Sequence, residues 1–364
     1  MPYDPFARGP LPVGVSTARA IDAGRSARRL PIELWYPAED RYRGLDRVDP
    51  TRDAWTVTGT RLVQDAVRDA APRRGSLPLV LFSHGSWGHR RQSTFLCTHL
   101  ASHGYVVAAP DHTGNTAADL VEVARRTAAG DPLSADDVSR WIADRPADLR
   151  FVLDGLLDGS FGDLEASVDG ERVAAVGHSF GGWTVLALTA RDRRIRAVVP
   201  MAPAGGADPL PGIIRVRVTL DWDRDVPTLY LAARRDTLTP LPGIRGKFER
   251  TGSTRQLVVL DDADHFHFCD RVEEVHELYR RMAPPLDEVA RRMPPASALC
   301  PGDHGSLFVR GLALAHLDAT LGRRTEAARF LRDDVERAFA AKGIPVESVR
   351  AEPCNKIDTP RTDG

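Results

Sequence analysis

No run in this sequence approaches the roughly 18 consecutive apolar residues that a bilayer-crossing helix needs. Nor is there an excess of charge of either sign: 49 basic side chains stand against 50 acidic ones. No field is predicted that would collect nucleic acid or anionic lipid, and the Arg-rich stretches read as solvated surface. Cysteine is scarce, with Cys97, Cys269, Cys300 and Cys354 scattered outside any CxxC spacing. Neither a disulfide framework nor a zinc site is indicated, and Cys269 with Cys300 is the one pairing left open. The opening Met1-Pro2-Tyr3-Asp4-Pro5-Phe6 has no basic region followed by an apolar core, so no export leader is read there. Internal repeats are absent, and low complexity is confined to the polar stretch after Glu352. The expectation is a soluble, cytoplasmic protein without nucleic-acid partner, membrane span or metal, compatible with a monomer or a homodimer.

What is present is a large apolar fraction, 42% of 364 residues, enough for one sizeable core. The predicted organisation is a single domain over 1–352, with insertions at about 113–145, 203–226 and 269–305 and a polar tail at 353–364. Two extended segments, 13–21 and 30–36, flank the polar turn 22–26 and predict an antiparallel edge. The following stretch, 38–76, is weakly patterned, with a helix predicted over 61–69. From Leu77 onward, short continuous apolar runs alternate with helix-length segments, as buried parallel strands and their crossovers do. These runs are 77–82, 105–109, 173–176, 197–199, 228–231 and 256–260. They predict an α/β fold: a mostly parallel central sheet with helices on both faces, antiparallel N-terminal strands, and helical insertions where strands end. A closing helix is predicted over 307–321.

The pentapeptide Gly177-His178-Ser179-Phe180-Gly181 matches GxSxG, which alone is weak. Its context is stronger, because the apolar run Arg172-Val173-Ala174-Ala175-Val176 precedes it and Gly182-Trp183-Thr184-Val185-Leu186 opens a helix after it. A nucleophilic serine on a sharp strand-to-helix turn needs that context, with no Cβ where helix and strand approach. The bland alternative is a plain helix N-cap, which does not call for glycine on both sides.

Serine is a poor nucleophile at its own pKa, so a histidine must take its proton and a carboxylate must orient that histidine. Asp236 follows the 228–231 strand at the sheet's carboxyl edge and is the candidate acid, with an N-cap role as the alternative. Asp221, Asp223 and Asp225 precede that strand and fall on the wrong side. His265 follows the 256–260 strand and is the candidate base; His267, two residues on, is its rival. Oxyanion donors are expected from the amide of Phe180 and from Ser83-His84-Gly85-Ser86-Trp87-Gly88, where the Ser86 amide is preferred over that of Trp87. Trp87, Phe180, Trp183 and Phe266 are candidates for a substrate pocket, each equally readable as core.

Carried by Pro31-Ile32-Glu33-Leu34-Trp35-Tyr36-Pro37, Phe82-Ser83-His84-Gly85, the stretch from Leu100 to His112 and the GHSFGG motif, the chain resembles the α/β-hydrolases of the dienelactone-hydrolase-like and platelet-activating-factor-acetylhydrolase kinds. The resemblance implies Ser179, Asp236 and His265 as a triad, with the amides of Ser86 and Phe180 as oxyanion hole. It implies a serine esterase for short or modified acyl esters that needs no cofactor. Other bonds (amide, thioester, lactone) and a silent binding protein of the same fold are the alternatives. Two features depart from these families: dienelactone hydrolases use cysteine where Ser179 stands, and 269–305 has no clear acetylhydrolase counterpart.

Overall fold

The computed structural model describes residues 3–57, 60–161, 164, 168–206, 214–281 and 287–353. The chain opens with the predicted hairpin, β1 (Val13–Asp22) and β2 (Arg28–Pro37), paired antiparallel from Val13 opposite Pro37 to Asp22 opposite Arg28. This hairpin is not the sheet's edge. Two more strands, β3 (Arg52–Val57) and β4 (Thr60–Arg68), extend the sheet beyond it, with β4 running parallel to β1.

The helix predicted over 61–69 is therefore corrected to strand. Gln64 and Ala66 are buried two residues apart, a period of two, and cross-strand bonds hold the register. Gln64 accepts from the Trp35 indole at 2.7 Å and donates to Asp53 at 2.7 Å, while Arg68 spans Asp53 and Glu33. Partners on other strands override a local pattern of moderate helix formers.

The core strands are β5 (Leu77–Ser83), β6 (Val106–Pro110), β7 (Val168–His178), β8 (Ile195–Met201), β9 (Thr228–Ala233) and β10 (Arg255–Leu260). They lie parallel in the order β6-β5-β7-β8-β9-β10, within an 11-stranded sheet. At the far edge β11 (Val346–Ala351) pairs antiparallel with β10. The sequence pattern does not single out this strand, because Val346-Glu347-Ser348-Val349-Arg350-Ala351 is only partly buried at the edge and carries no continuous apolar run.

Between the strands run α1 (Thr94–Ser102), α2 (Ala117–Ala128), α3 (Ala135–Leu157), α4 (Phe180–Thr189), α5 (Leu241–Arg250), α6 (Val272–Arg280), α7 (Asp287–Arg292) and α8 (Gly302–Thr320). Two helix pairs, α1 with α8 and α3 with α4, lie against the sheet. The insertion bounded at Arg145 is longer in structure, since α3 continues through Pro146 to Leu157. Burial on both sides of the proline, from Trp141 to Leu156, outweighs the lost backbone bond. The 207–213 part of the second insertion, Pro284-Pro285 and the tail beyond 353 lie outside the described residues. Cys97, Cys269 and Cys300 are free thiols, so the pairing left open between the last two is not made. Among the described residues, no helix is long and apolar enough to cross a membrane.

Candidate active site

The carboxyl ends of β5, β7, β9 and β10 converge on one region, at the point where strand order reverses across β5. At the end of β7 the backbone turns abruptly. Ser179 sits at φ 58°, ψ −118°, a strained conformation costing on the order of 1–3 kcal/mol. The turn is pinned by Ser179 N–H to the Met201 carbonyl at 2.8 Å, and the Ser179 carbonyl accepts from Ala204 N–H at 2.9 Å. The flanking glycines are required sterically, because a Cβ on Gly177 would lie 2.3 Å from the Gly181 oxygen and one on Gly181 2.0 Å from the Ser83 oxygen. Every residue of α4 is buried, and Ser179 stands at its positive end.

Asp236 follows β9 and is 5% exposed. Its carboxylate accepts from Leu238 N–H at 2.9 Å, Thr239 N–H at 2.7 Å and the Thr239 hydroxyl at 2.8 Å. His265, 2% exposed, brings Nδ1 to 2.9 and 3.1 Å from the two oxygens. A carboxylate only accepts, so Nδ1 carries the proton and Nε2 is left bare, the tautomer a general base needs. Asp236 and His265 are thus brought together as expected, on loops that leave adjacent parallel strands.

The rival His267 has both ring nitrogens engaged elsewhere, Nδ1 with the Asp264 backbone and Nε2 with the Cys300 carbonyl at 2.9 Å. Asp223 and Asp225 pair with Arg193 and Thr254, at the other ends of the strands. One acidic residue was missed. Asp264 is fully buried and accepts from His265 N–H at 2.6 Å, Thr237 N–H at 2.8 Å and the Thr237 hydroxyl at 3.1 Å, lashing the Asp236 loop to the His265 loop. Burial, and then the neighbouring charge of Asp236, push its carboxyl above the usual range. Position before His265 was its only trace in the sequence.

The loop after β5 closes as a turn, Gly88 N–H to the Gly85 carbonyl at 3.1 Å, with Trp87 at φ 59°. Among the described residues the amides of Ser86, Trp87 and Phe180 have no protein acceptor. Behind this turn Arg145 is wholly enclosed. It donates to Asn115 at 2.7 Å, to Thr184 at 3.0 Å and to the His84 carbonyl, and its guanidinium lies 4.6 Å over the Phe180 ring. Burial lowers its pKa to about 9. Asn115 in turn donates to the Ser86 hydroxyl at 3.1 Å. Farther back, His112 donates from Nδ1 to Asp148 and accepts the Ser83 hydroxyl at Nε2, both at 2.9 Å. Burial, then the Arg145 charge, lower its pKa to about 3.

The predicted pocket residues divide. Trp87, Phe180 and Trp183 share one cluster with Trp141: Trp87 meets Trp141 edge-on at 5.0 Å and Phe180 lies 5.3 Å from Trp183. A cavity of about 450 Å³ opens beside it between Leu133, Val138, Ile142 and Ile214. Phe266 belongs elsewhere, packed with Leu238, Val289 and Met293 and 4.5 Å from the Tyr279 ring. The 269–305 segment therefore braces the His265 loop. No group of three or more His, Cys, Asp or Glu side chains among the described residues is placed to hold a metal.

Residues 23–143 match the family described as platelet-activating factor acetylhydrolase, isoform II. The chain is 28% identical over 206 residues to a platelet-activating factor acetylhydrolase of Cavia porcellus, covering 48% of this chain and 47% of that one. It is 25% identical over 191 residues to cutinase est1 of Thermobifida alba, covering 51% and 53%. The chain thus spans about half the length of the curated relatives it matches. The solved structure of a ferulic acid esterase from Streptomyces cinnamoneus superposes with a TM-score of 0.63 at 25% identity, covering 87% of this chain and 93% of that one. With its sheet, its strand-to-helix turn at Ser179 and these likenesses, the chain is an α/β-hydrolase-fold protein similar to the platelet-activating factor acetylhydrolases.

Proposed function

We propose that the chain is a serine carboxylic-ester hydrolase in which Ser179 is the nucleophile, His265 the base and Asp236 the residue that orients it. The observation that carries this is the buried Asp236–His265 pair, with the Nδ1 proton facing the carboxylate at 2.9 Å and the His265 ring 4.5 Å from that of His178, the residue before a serine held at φ 58°. His265 Nε2 takes the Ser179 proton as Oγ attacks the ester carbonyl, and the amides of Phe180 and Ser86 receive the negative charge on the carbonyl oxygen. Collapse expels the alcohol, which leaves with the proton from His265, and water then cleaves the acyl-enzyme by the same route. Each oxyanion donor is worth about 3 kcal/mol of barrier, which makes the fixation of the 85–88 turn matter to rate. The acetylhydrolase and esterase likenesses favour short or modified acyl esters, and the aromatic cluster of Trp87, Phe180 and Trp183 supplies an apolar wall for them.

Ser179→Ala tests the assignment. Hydrolysis of p-nitrophenyl acetate and butyrate is expected to fall by at least about a thousandfold in a protein of unchanged melting temperature. A fluorophosphonate probe should label the wild type and spare the variant. Turnover equal to wild type in Ser179→Ala would overturn the reading.

A further inference from the structure

The residue before the nucleophile has no part in the chemistry above, yet both of its ring nitrogens are committed. His178 is 2% exposed, and its ring lies 4.5 Å from that of His265. His178 Nε2 is 3.0 Å from the backbone oxygen of His265. A carbonyl only accepts, so Nε2 holds the proton and Nδ1 is bare. Burial, and then the neighbouring His265, keep this imidazole neutral. Its Nδ1 faces the amide nitrogen of Gln92 at 3.0 Å, with the Cys269 thiol, held protonated by burial, at 3.6 Å. Both are donors.

The other end of the Gln92 amide is equally determined. Its oxygen accepts the Gly85 N–H at 2.8 Å, and a Cβ on Gly88 would lie 2.3 Å from that oxygen. Four groups therefore form a chain in which every donor points the same way: Gly85 N–H to Gln92, Gln92 to His178, His178 to the His265 carbonyl. Bonds aligned in this manner polarise one another. One end fixes the residue before Ser86, and the other fixes the backbone of the base itself. Backbone contacts repeat the connection, with Asp270 N–H to the Gln92 carbonyl and the Ser93 hydroxyl to the Phe268 carbonyl, each at 2.9 Å.

We propose that Gln92 and His178 are positioning residues that hold the oxyanion turn and the His265 loop at a fixed separation across Ser179; the proposal rests on the esterase reading of Ser179 and His265. The polarity of the chain supplies the test. Gln92→Leu removes both side-chain bonds, and kcat on p-nitrophenyl butyrate is expected to fall between about tenfold and a hundredfold with KM within about twofold and the acid limb of the pH profile unmoved. Gln92→Glu keeps an acceptor for Gly85 but sets a carboxylate against the bare Nδ1, so His178 takes a second proton. That cation disfavours the His265 imidazolium, so kcat falls and the acid limb of kcat/KM moves to lower pH. A bond that merely stabilised the fold would not move that limb. Nitrogen-15 spectra of the ring should show the Nε2–H tautomer for His178 in the wild type and a doubly protonated ring in Gln92→Glu. A wild-type His178 carrying its proton on Nδ1, or Gln92→Leu with wild-type kcat, overturns the proposal. Absence of Ser179-dependent turnover in the wild type would instead remove the esterase reading, while the tautomer still decides the chain of bonds.

Discussion

Arg145 shows how much of the candidate site is held by side chains wholly enclosed behind it. Its guanidinium has no carboxylate partner in direct contact, and it spends its donors on Asn115, Thr184 and the His84 carbonyl. The planar fork reaches all of these at once, which a lysine ammonium cannot do. Arg145→Lys is expected to leave Asn115 or the His84 carbonyl unpaired, loosen the 85–88 turn, and lower kcat on p-nitrophenyl butyrate about tenfold, a fraction of what one oxyanion donor supplies. An unchanged kcat would separate Arg145 from the turn. The proposed Ser179, Asp236 and His265 could be picked out of the sequence because strand-end position and chain order narrow the search to a few residues. Arg145, Gln92 and Asp264 were not, since nothing marks a single arginine, glutamine or aspartate until the fold brings it against partners tens of residues away.

At the scale of elements, the parallel strands were legible because burial on both faces demands continuous apolar runs. The outer strands were not, because each draws its stability from neighbours. Within β4, Gln64 is the clearest case, joining Trp35 on β2 to Asp53 on β3 through one side-chain amide. Gln64→Leu leaves the Trp35 indole N–H without its acceptor, at a cost of about 1–3 kcal/mol. Urea unfolding should register that loss. The kcat/KM for p-nitrophenyl esters should stay at the wild-type value, because β6, β2 and β1 separate β4 from the strands that carry the site. A helix in place of β4 would predict no effect from Leu, a better helix former than many residues at an exposed position. The 269–305 segment is a further instance: its sequence offered either an overhang or a cover, and packing of Phe266 against Tyr279 makes it a brace for the His265 loop.

Across the whole molecule, imidazoles enclosed as neutral groups couple folding to pH. Burial lowers His99 and His112 to about 3 and His316 to about 4, and it moves His84 and His178 downward as well. Each binds its proton near pH 6.5 when unfolded but only far lower when folded. Below pH 6.5 the unfolded state therefore holds more protons, and stability falls as pH falls through that window, on the order of one kcal/mol per pH unit for each histidine. Asp270 acts in the opposite sense, because burial raises it to about 6 and the folded state gains a proton there first. Asp264 is shifted in the same direction as Asp270, but two carboxyls do not offset five histidines, so the melting temperature should drop steeply between about pH 6 and pH 4, where a protein of ordinary stability has only 5–15 kcal/mol to lose. His316→Gln is the discriminating variant. Its amide can still donate to the Pro227 carbonyl, which His316 Nε2 reaches at 3.1 Å, but it cannot titrate. The acid midpoint of unfolding should move to lower pH in that variant while the melting temperature at pH 8 changes little; a melting temperature flat from pH 7 to pH 4 in the wild type would show that these histidines are not held neutral by the fold.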